Sequence, residues 1–149
     1  MGTKLIERGS GDLGRKLIAN SLIHDNSKFY GIEWENLDPS IDVTAEPNRK
    51  LKLNLAIQHH NRTNPHHPEC WGGIENMPYV YLAECVCDWW ARSIEFGTSL
   101  HDWIDVGGSN RFRYMKGSGM HGQLVELAAM ICDKPFEPTT NDETSIHAG

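Results

Sequence analysis

The chain predicts an all-α fold, a single-domain helical bundle, on three observations. Apolar residues recur at helical spacing in several windows, and the longest, Tyr79 to Phe96, is apolar almost all round. Gly97 follows that window, and glycine is favoured just past a helix end because it takes a left-handed backbone without a steric penalty. A chain of 149 residues ordinarily makes one domain and buries a sufficient core without disulfides or structural metal.

The first helix is expected from Asp12 to about Ile23, where Leu13, Leu17, Ile18 and Leu22 share a face and the Gly11-Asp12 start caps it. His24-Asp25 then falls at or just past its end. A second, shorter helix is expected from Ser27 to Leu37, because the residue before Pro39 is biased out of the helical region, and Pro39 to Glu46 is a loop. Leu51, Leu53, Leu55 and Ile57 alternate with polar or small residues as in a strand. Helix is preferred there, because Pro47 suits a first turn and Leu53, Ala56, Ile57 and His60 form one i, i+3, i+4, i+7 face. Pro65 and Pro68 place His66-His67 in a turn.

Tyr79 to Phe96 is expected to be the central buried helix. Glu84, Asp88 and Arg92 lie on one face of it, rising about 6 Å per four-residue step. Burying two carboxylates on an apolar helix is costly unless cations or hydrogen bonds satisfy them. A final helix from about Gly119 to Cys132 carries Leu124, Val125, Leu127, Ala128 and Ile131 toward that core. The folded domain is assigned to residues 1–137 and a disordered tail to 138–149, on composition.

A net charge of −6 argues against a nucleic-acid backbone or an anionic membrane surface as partner. Cys70, Cys85, Cys87 and Cys132 are too few and too unevenly spaced for a disulfide scaffold, which fits a reducing compartment. The first residues hold no signal-like apolar run, and no window approaches the roughly 20 apolar residues of a membrane span. A cytoplasmic protein is expected. A homo-oligomer is left open.

The chemistry lies in histidine and aspartate. Four of the eight histidines fall between positions 59 and 67, with His24-Asp25 upstream. Neutral imidazoles bind divalent transition metals and a neighbouring carboxylate can neutralise or bridge ions, so this vocabulary points to an ion at the centre of the site. Read in order, His24-Asp25, His60, His66-His67 and Asp88 resemble the HD-domain metal-dependent phosphohydrolase superfamily over roughly residues 13 to 105. The likeness is nearest to small HD-like proteins of phages and bacteria. It rests on three motifs standing in order: His24 to Phe29, Asn64 to Glu69, and Asp88-Trp89. The chain departs from the superfamily in one respect, since no histidine precedes His24, and the readings open are that Glu7 or Asp12 substitutes, that a water fills the first metal position, or that the chain begins later than a longer relative would.

The resemblance implies an HD-type helical bundle that hydrolyses a small phosphorylated compound, a nucleotide by analogy, with one or two divalent ions (Mn, Co, Zn, Mg or Fe). His24, Asp25 and Asp88 would hold one ion, and Asp25 would bridge to another held by His60 with one or both of His66 and His67. Lys28, with Arg62 or Arg92, would neutralise phosphate charge, Glu69 or Glu84 would shuttle a proton or orient an imidazole, and Trp71 would stack on a base. A di-iron oxygenase on the same scaffold and a non-catalytic binding protein with a degenerate metal site are the alternatives.

Several residues also have plain structural readings. His59 competes with His60, which is preferred because it shares the Leu53, Ala56 and Ile57 face. Glu84 is equally a core carboxylate paired with Arg92 or a backbone donor. His101-Asp102 repeats the dipeptide without the Ser-Lys-Phe continuation and reads as a structural pair. Cys85 and Cys87 read as core, since a Cys-x-Cys within a helix points its thiols apart. The basic stretch Arg111 to Lys116, between glycine-rich turns, is positioned in sequence to cover a pocket.

Overall fold

Residues 1–38, 40 and 48–132 are described by a computed structural model of the chain. Among them every regular element is helical and there is no strand, as the apolar periodicity predicts. None of these helices is long and apolar enough to cross a membrane. Most of the expected Pro39 to Glu46 loop and the tail assigned to 138–149 lie outside the described residues.

Helix α1 (Gly2–Glu7) is too short to leave a periodic signal and was not expected from the sequence. It packs against α2 (Gly11–Ser21) through paired glycines: a Cβ on Gly14 would lie 2.5 Å from the Gly2 carbonyl oxygen and 2.6 Å from Ile6 Cγ1. Leu5 and Leu17 enter the core from this pair. The expected apolar stripe of α2 holds only in part, since Ile18 is 45 % and Leu22 84 % exposed.

The helix expected from Ser27 to Leu37 is two elements. A 3-10 turn, Asn26–Phe29, precedes α3 (Gly31–Asn36), and Tyr30 between them is extended (φ −154°, ψ 162°). Helix α4 (Arg49–Thr63) confirms helix over strand. It buries Arg49, Ala56 and His60, while Ile57 is exposed, so the inferred face is the inward one at Ala56 and His60. Arg49 ties it to α3, donating to Asn36 Oδ1 at 2.9 Å and to the Asn36 carbonyl at 2.7 Å.

The central helix α5 spans Tyr79–Phe96 and ends at left-handed Gly97 (φ 63°), both as expected. Leu82, Cys85, Val86 and Trp89 carry its core face, with α2 and α8 (Gly119–Ile131) packed against it. Between α5 and α8 the chain makes α6 (Leu100–Asp102), a π turn over Trp103–Gly108, and α7 (Ser109–Phe112). The end of α2, the 3-10 turn, α3, the end of α4 and the His66-His67 turn all gather on the side of α5 that carries Glu84 and Asp88.

Candidate metal centre

Asp25 caps the 3-10 turn in the left-handed region (φ 58°, ψ 17°), a conformation Asp tolerates better than most residues but at a cost of roughly 1–2 kcal/mol. The result is a carboxylate turned inward just where α2 has ended. Its Oδ1 lies 3.2 Å from His60 Nε2, delivered by the last turn of α4, and 3.3 Å from His66 Nε2, delivered by the turn that Pro65 initiates. His67 joins them, its ring centroid 4.2 Å from that of His66 and 4.8 Å from that of His60. One donor atom from each of Asp25, His60, His66 and His67 lies within 4.8 Å of the others.

Three of these atoms, Asp25 Oδ1, His66 Nε2 and His67 Nε2, are buried and have no hydrogen-bond partner; the short Asp25 approaches are ion-pair contacts without hydrogen-bond alignment. Buried polar atoms left unpaired cost about 1–3 kcal/mol each, so a convergence of three demands an explanation. A divalent ion is one, because imidazole nitrogens and a carboxylate oxygen are the donor set of zinc, manganese, cobalt and iron. The donors therefore fit the ion.

Neighbouring groups hold the imidazoles. Glu33 is fully buried, and its carboxylate lies 2.8 Å from His60 Nδ1 and 2.7 Å from His59 Nδ1 and accepts from Ser27 Oγ at 2.8 Å. Bonding at Nδ1 leaves His60 Nε2 free to face Asp25, the arrangement by which a carboxylate orients a ligating histidine. Asn64 adds a bond from its Nδ2 to Ser27 Oγ at 2.8 Å. His60 rather than His59 enters the cluster, since His59 is half exposed on the far side of Glu33. On α5, Glu84 Oε1 lies 3.1 Å from His24 Nδ1 and 3.8 Å from His66 Nδ1, and Oε2 accepts from Asn20 at 2.9 Å. Glu84 thus stands against two imidazoles and forms with them a second group of potential ligand atoms.

The electrostatics follow from these contacts. Burial pushes the Asp25 carboxyl up, but His60, His66 and Lys28 outweigh it and hold it well below the usual carboxylate range. Glu33, Glu84 and Asp88 are likewise held down against burial, each by its histidine neighbours. His24 is pushed up to about 10 by Asp88 and then Glu84. Because Asp88 Oδ1 stands 3.8 Å from His24 Nε2, its share is that of an ion pair rather than a hydrogen bond. Burial, then the neighbouring His66 and His60, lowers His67 to about 3, so it stays neutral and able to ligate.

A cleft of about 690 Å³ opens beside the cluster, lined by His60, His67 and Asp88 at one side. Lys28, Arg92 and Arg111 are cations of its wall, and Trp89, Trp103, Phe96 and Phe112 its aromatic groups. The indole of Trp89 stacks on Phe112 at 5.6 Å and meets Trp103 edge-on at 5.9 Å. Arg92 lies over Phe96 and Arg111 over Phe112, each a little over 5 Å from the ring centre. The basic stretch expected to cover a pocket reaches it with Arg111, which also pairs with Glu69 at 2.8 Å.

The other residues singled out in the sequence are placed elsewhere. Trp71 and Arg62 do not line the cleft. Trp71 donates its indole N–H to the Pro65 carbonyl at 2.8 Å and packs on Tyr81, so it braces the His66-His67 turn. Glu69 reaches the cleft only through Arg111. Neither substitute for the missing histidine reaches the cluster: Glu7 is exposed, and Asp12 is 92 % exposed and bonded to Arg15. His101-Asp102 forms the last two residues of the short α6, and Ser99 Oγ at its N-cap accepts from the Asp102 N–H. Cys85 is buried in the core and Cys87 is packed against it.

Glu33 and Asn20 were not foreseen at the site, while Asn64 entered only as the start of a motif and Arg111 only as part of the stretch placed to cover a pocket. Glu33 stands in the sequence as an acidic residue beside hydrophobic Ile32 and Trp34, which says nothing of histidines one helix away.

No curated protein matches the chain, and no solved structure does. Residues 4–134, which include every candidate ligand, match a protein family, and the chain therefore belongs to the family of unknown function DUF5662.

Proposed function

We propose that this chain is a metal-dependent phosphohydrolase acting on a small phosphorylated compound of the nucleotide class. The observation that carries the reading is the convergence of the buried, unpartnered atoms Asp25 Oδ1, His66 Nε2 and His67 Nε2 beside a cleft walled by cations. The order of these residues in the chain, similar to that of HD-domain phosphohydrolases, supports it further.

Asp25, His60, His66 and His67 would hold the ion. A divalent ion there supplies Lewis acidity, acidifying a water and offsetting charge on a phosphoryl oxygen. Lys28, Arg92 and Arg111 bind and orient the phosphate, and guanidinium groups suit its geometry. Trp103 and Phe112 offer flat apolar surface to the remainder of the substrate, which favours a ligand that joins an anion to an aromatic ring. Asp88 presents to the same cleft a carboxylate that its histidine neighbours hold ionised.

The test is metal content of the purified, tag-free chain, followed by phosphate release from a panel of nucleotides with manganese, cobalt, zinc or magnesium. Folded Asp25→Ala is expected to lose both bound metal and phosphate release. Undiminished metal in that variant would sink the assignment of the site. Bound iron with oxygen consumption and no phosphate release would replace the hydrolase by an oxygenase.

A further inference from the structure

Asp25 uses its two carboxylate oxygens differently. Oδ1 faces His60 Nε2 and His66 Nε2 at 3.2 and 3.3 Å. Oδ2 lies 2.5 Å from Lys28 Nζ and 3.6 Å from His24 Nε2. In a two-ion centre a bridging carboxylate gives one oxygen to each ion, the ions being roughly 3.5–4 Å apart. Here a lysine ammonium already stands against the second oxygen.

We infer that Lys28 is a built-in second cation: the site takes one divalent ion, at Asp25, His60, His66 and His67, and the Lys28 ammonium occupies the position of a second. The inference rests on the proposed metal centre and states how many ions it holds.

Independent features of the donor set agree. Among the described residues, the compact groups of ligand atoms are Asp25 with His60, His66 and His67, and His24 with His66 and Glu84. Asp88 belongs to neither. In the second group His24 Nδ1 and Glu84 Oε1 are 3.1 Å apart and already bonded to one another, and Asn20 occupies the other oxygen of Glu84. What remains for a second ion is His24 Nε2, with Asp25 Oδ2 at 3.6 Å and Asp88 Oδ1 at 3.8 Å, and Lys28 holds the first of these oxygens. Of the acidic residues before His24, Glu7 and Asp12 are both exposed and turned to solvent rather than to this position.

The substitution has a chemical consequence. An ammonium carries one charge, keeps donors to spare and does not acidify water, so Lys28, which also lines the cleft, can neutralise an anionic oxygen but supplies no second nucleophile. An ordinary exposed ion pair three residues apart makes a different forecast, since its loss would leave the metal count unchanged.

The experiment is calorimetric titration of the chelator-treated full chain with manganese, with electron paramagnetic resonance of the loaded protein to detect coupled ions. Wild type is expected to take one manganese per chain with no coupling. Lys28→Met should take two, the second more weakly and with a coupled signal, and Lys28→Arg, which keeps a cation, should stay at one. Adding Asp88→Asn to Lys28→Met should return the count to one. Two coupled ions in wild type, or a single ion in folded Lys28→Met, would overturn the inference while leaving the proposed metal centre intact. No bound manganese in wild type would overturn both.

Discussion

Glu33 shows how much of this site depends on a residue that touches no candidate ligand atom of the ion. Its carboxylate, wholly buried, satisfies His59, His60 and Ser27 at once, and only the His60 contact involves a candidate ligand. Glu33→Gln keeps the shape but loses an acceptor, so metal affinity should fall roughly 10–100-fold, as for other carboxylates that orient a ligating histidine, with helix content retained. Titration with manganese alongside circular dichroism checks it; unchanged affinity would make Glu33 purely structural. The histidines also predict how the metal-free protein responds to pH. His24, raised from 6.5 to about 10, contributes stability that is fully present below 6.5 and is lost as pH rises through about 10. His67, lowered from 6.5 to about 3, has the opposite sign: its contribution is present above 6.5 and is lost as pH falls toward 3. Melting temperatures of chelated protein across roughly pH 5–9 should therefore peak near the ordinary histidine value. His24→Gln should flatten the alkaline side and His67→Gln the acid side; parallel curves for all three proteins would refute the assignment.

Short elements bring Asp25, His66 and His67 to His60, which alone of the four candidate ligands stands on a long helix. The break after Ser21 and the left-handed Asp25 turn the chain from α2 into the site, and the Pro65 turn does the same after α4. Trp71 braces that second turn through the Pro65 carbonyl, so Trp71→Phe, which removes only the indole N–H from this contact, should cost about 1 kcal/mol and weaken metal binding modestly. Away from the site, α1 and α2 depend on the absence of side chains at Gly2 and Gly14. An alanine in a helix interior normally gains about 1 kcal/mol over glycine, but at Gly14 its Cβ would meet backbone. Gly14→Ala is therefore expected to destabilise by about 1–3 kcal/mol with metal stoichiometry unchanged, read by thermal unfolding and metal analysis. A stabilised variant would mean that the two helices separate freely.

At the scale of the molecule, α5 divides two environments. One side is core with α2 and α8, and the other presents Glu84 and Asp88 to His24 and His66, brought by the turns that follow α2 and α4. The cleft beside them is assembled from still more distant segments, Lys28 from the 3-10 turn, Arg92 from α5, and Arg111 and Phe112 from α7. If these cations bind phosphate as proposed, Arg92→Ala and Arg111→Ala should raise KM by about 10-fold or more for a phosphorylated substrate, with kcat less affected. Steady-state kinetics on the substrate found by phosphate release would decide it, and a fall confined to kcat would move these residues from binding to the chemical step.

Helix identity was legible in the chain because it follows from periodicity: Tyr79 to Phe96, its Gly97 stop, and the helices around Leu13 and Leu124 are local patterns that burial reinforces. The choice of His60 over His59 was legible for the same reason, since one face of α4 turns inward. The tertiary structure alone decided which groups meet. Nothing within a few residues of Glu33 or Asn20 marks them as partners of His60 or Glu84, and nothing beside Arg111 marks Glu69 as its partner, because these contacts span from 26 to 64 positions of chain. The same holds for Lys28: its place three residues after Asp25 is visible in the sequence. That its ammonium rests on the oxygen turned away from the three imidazoles depends on the left-handed turn at Asp25 and on the helices that close around it.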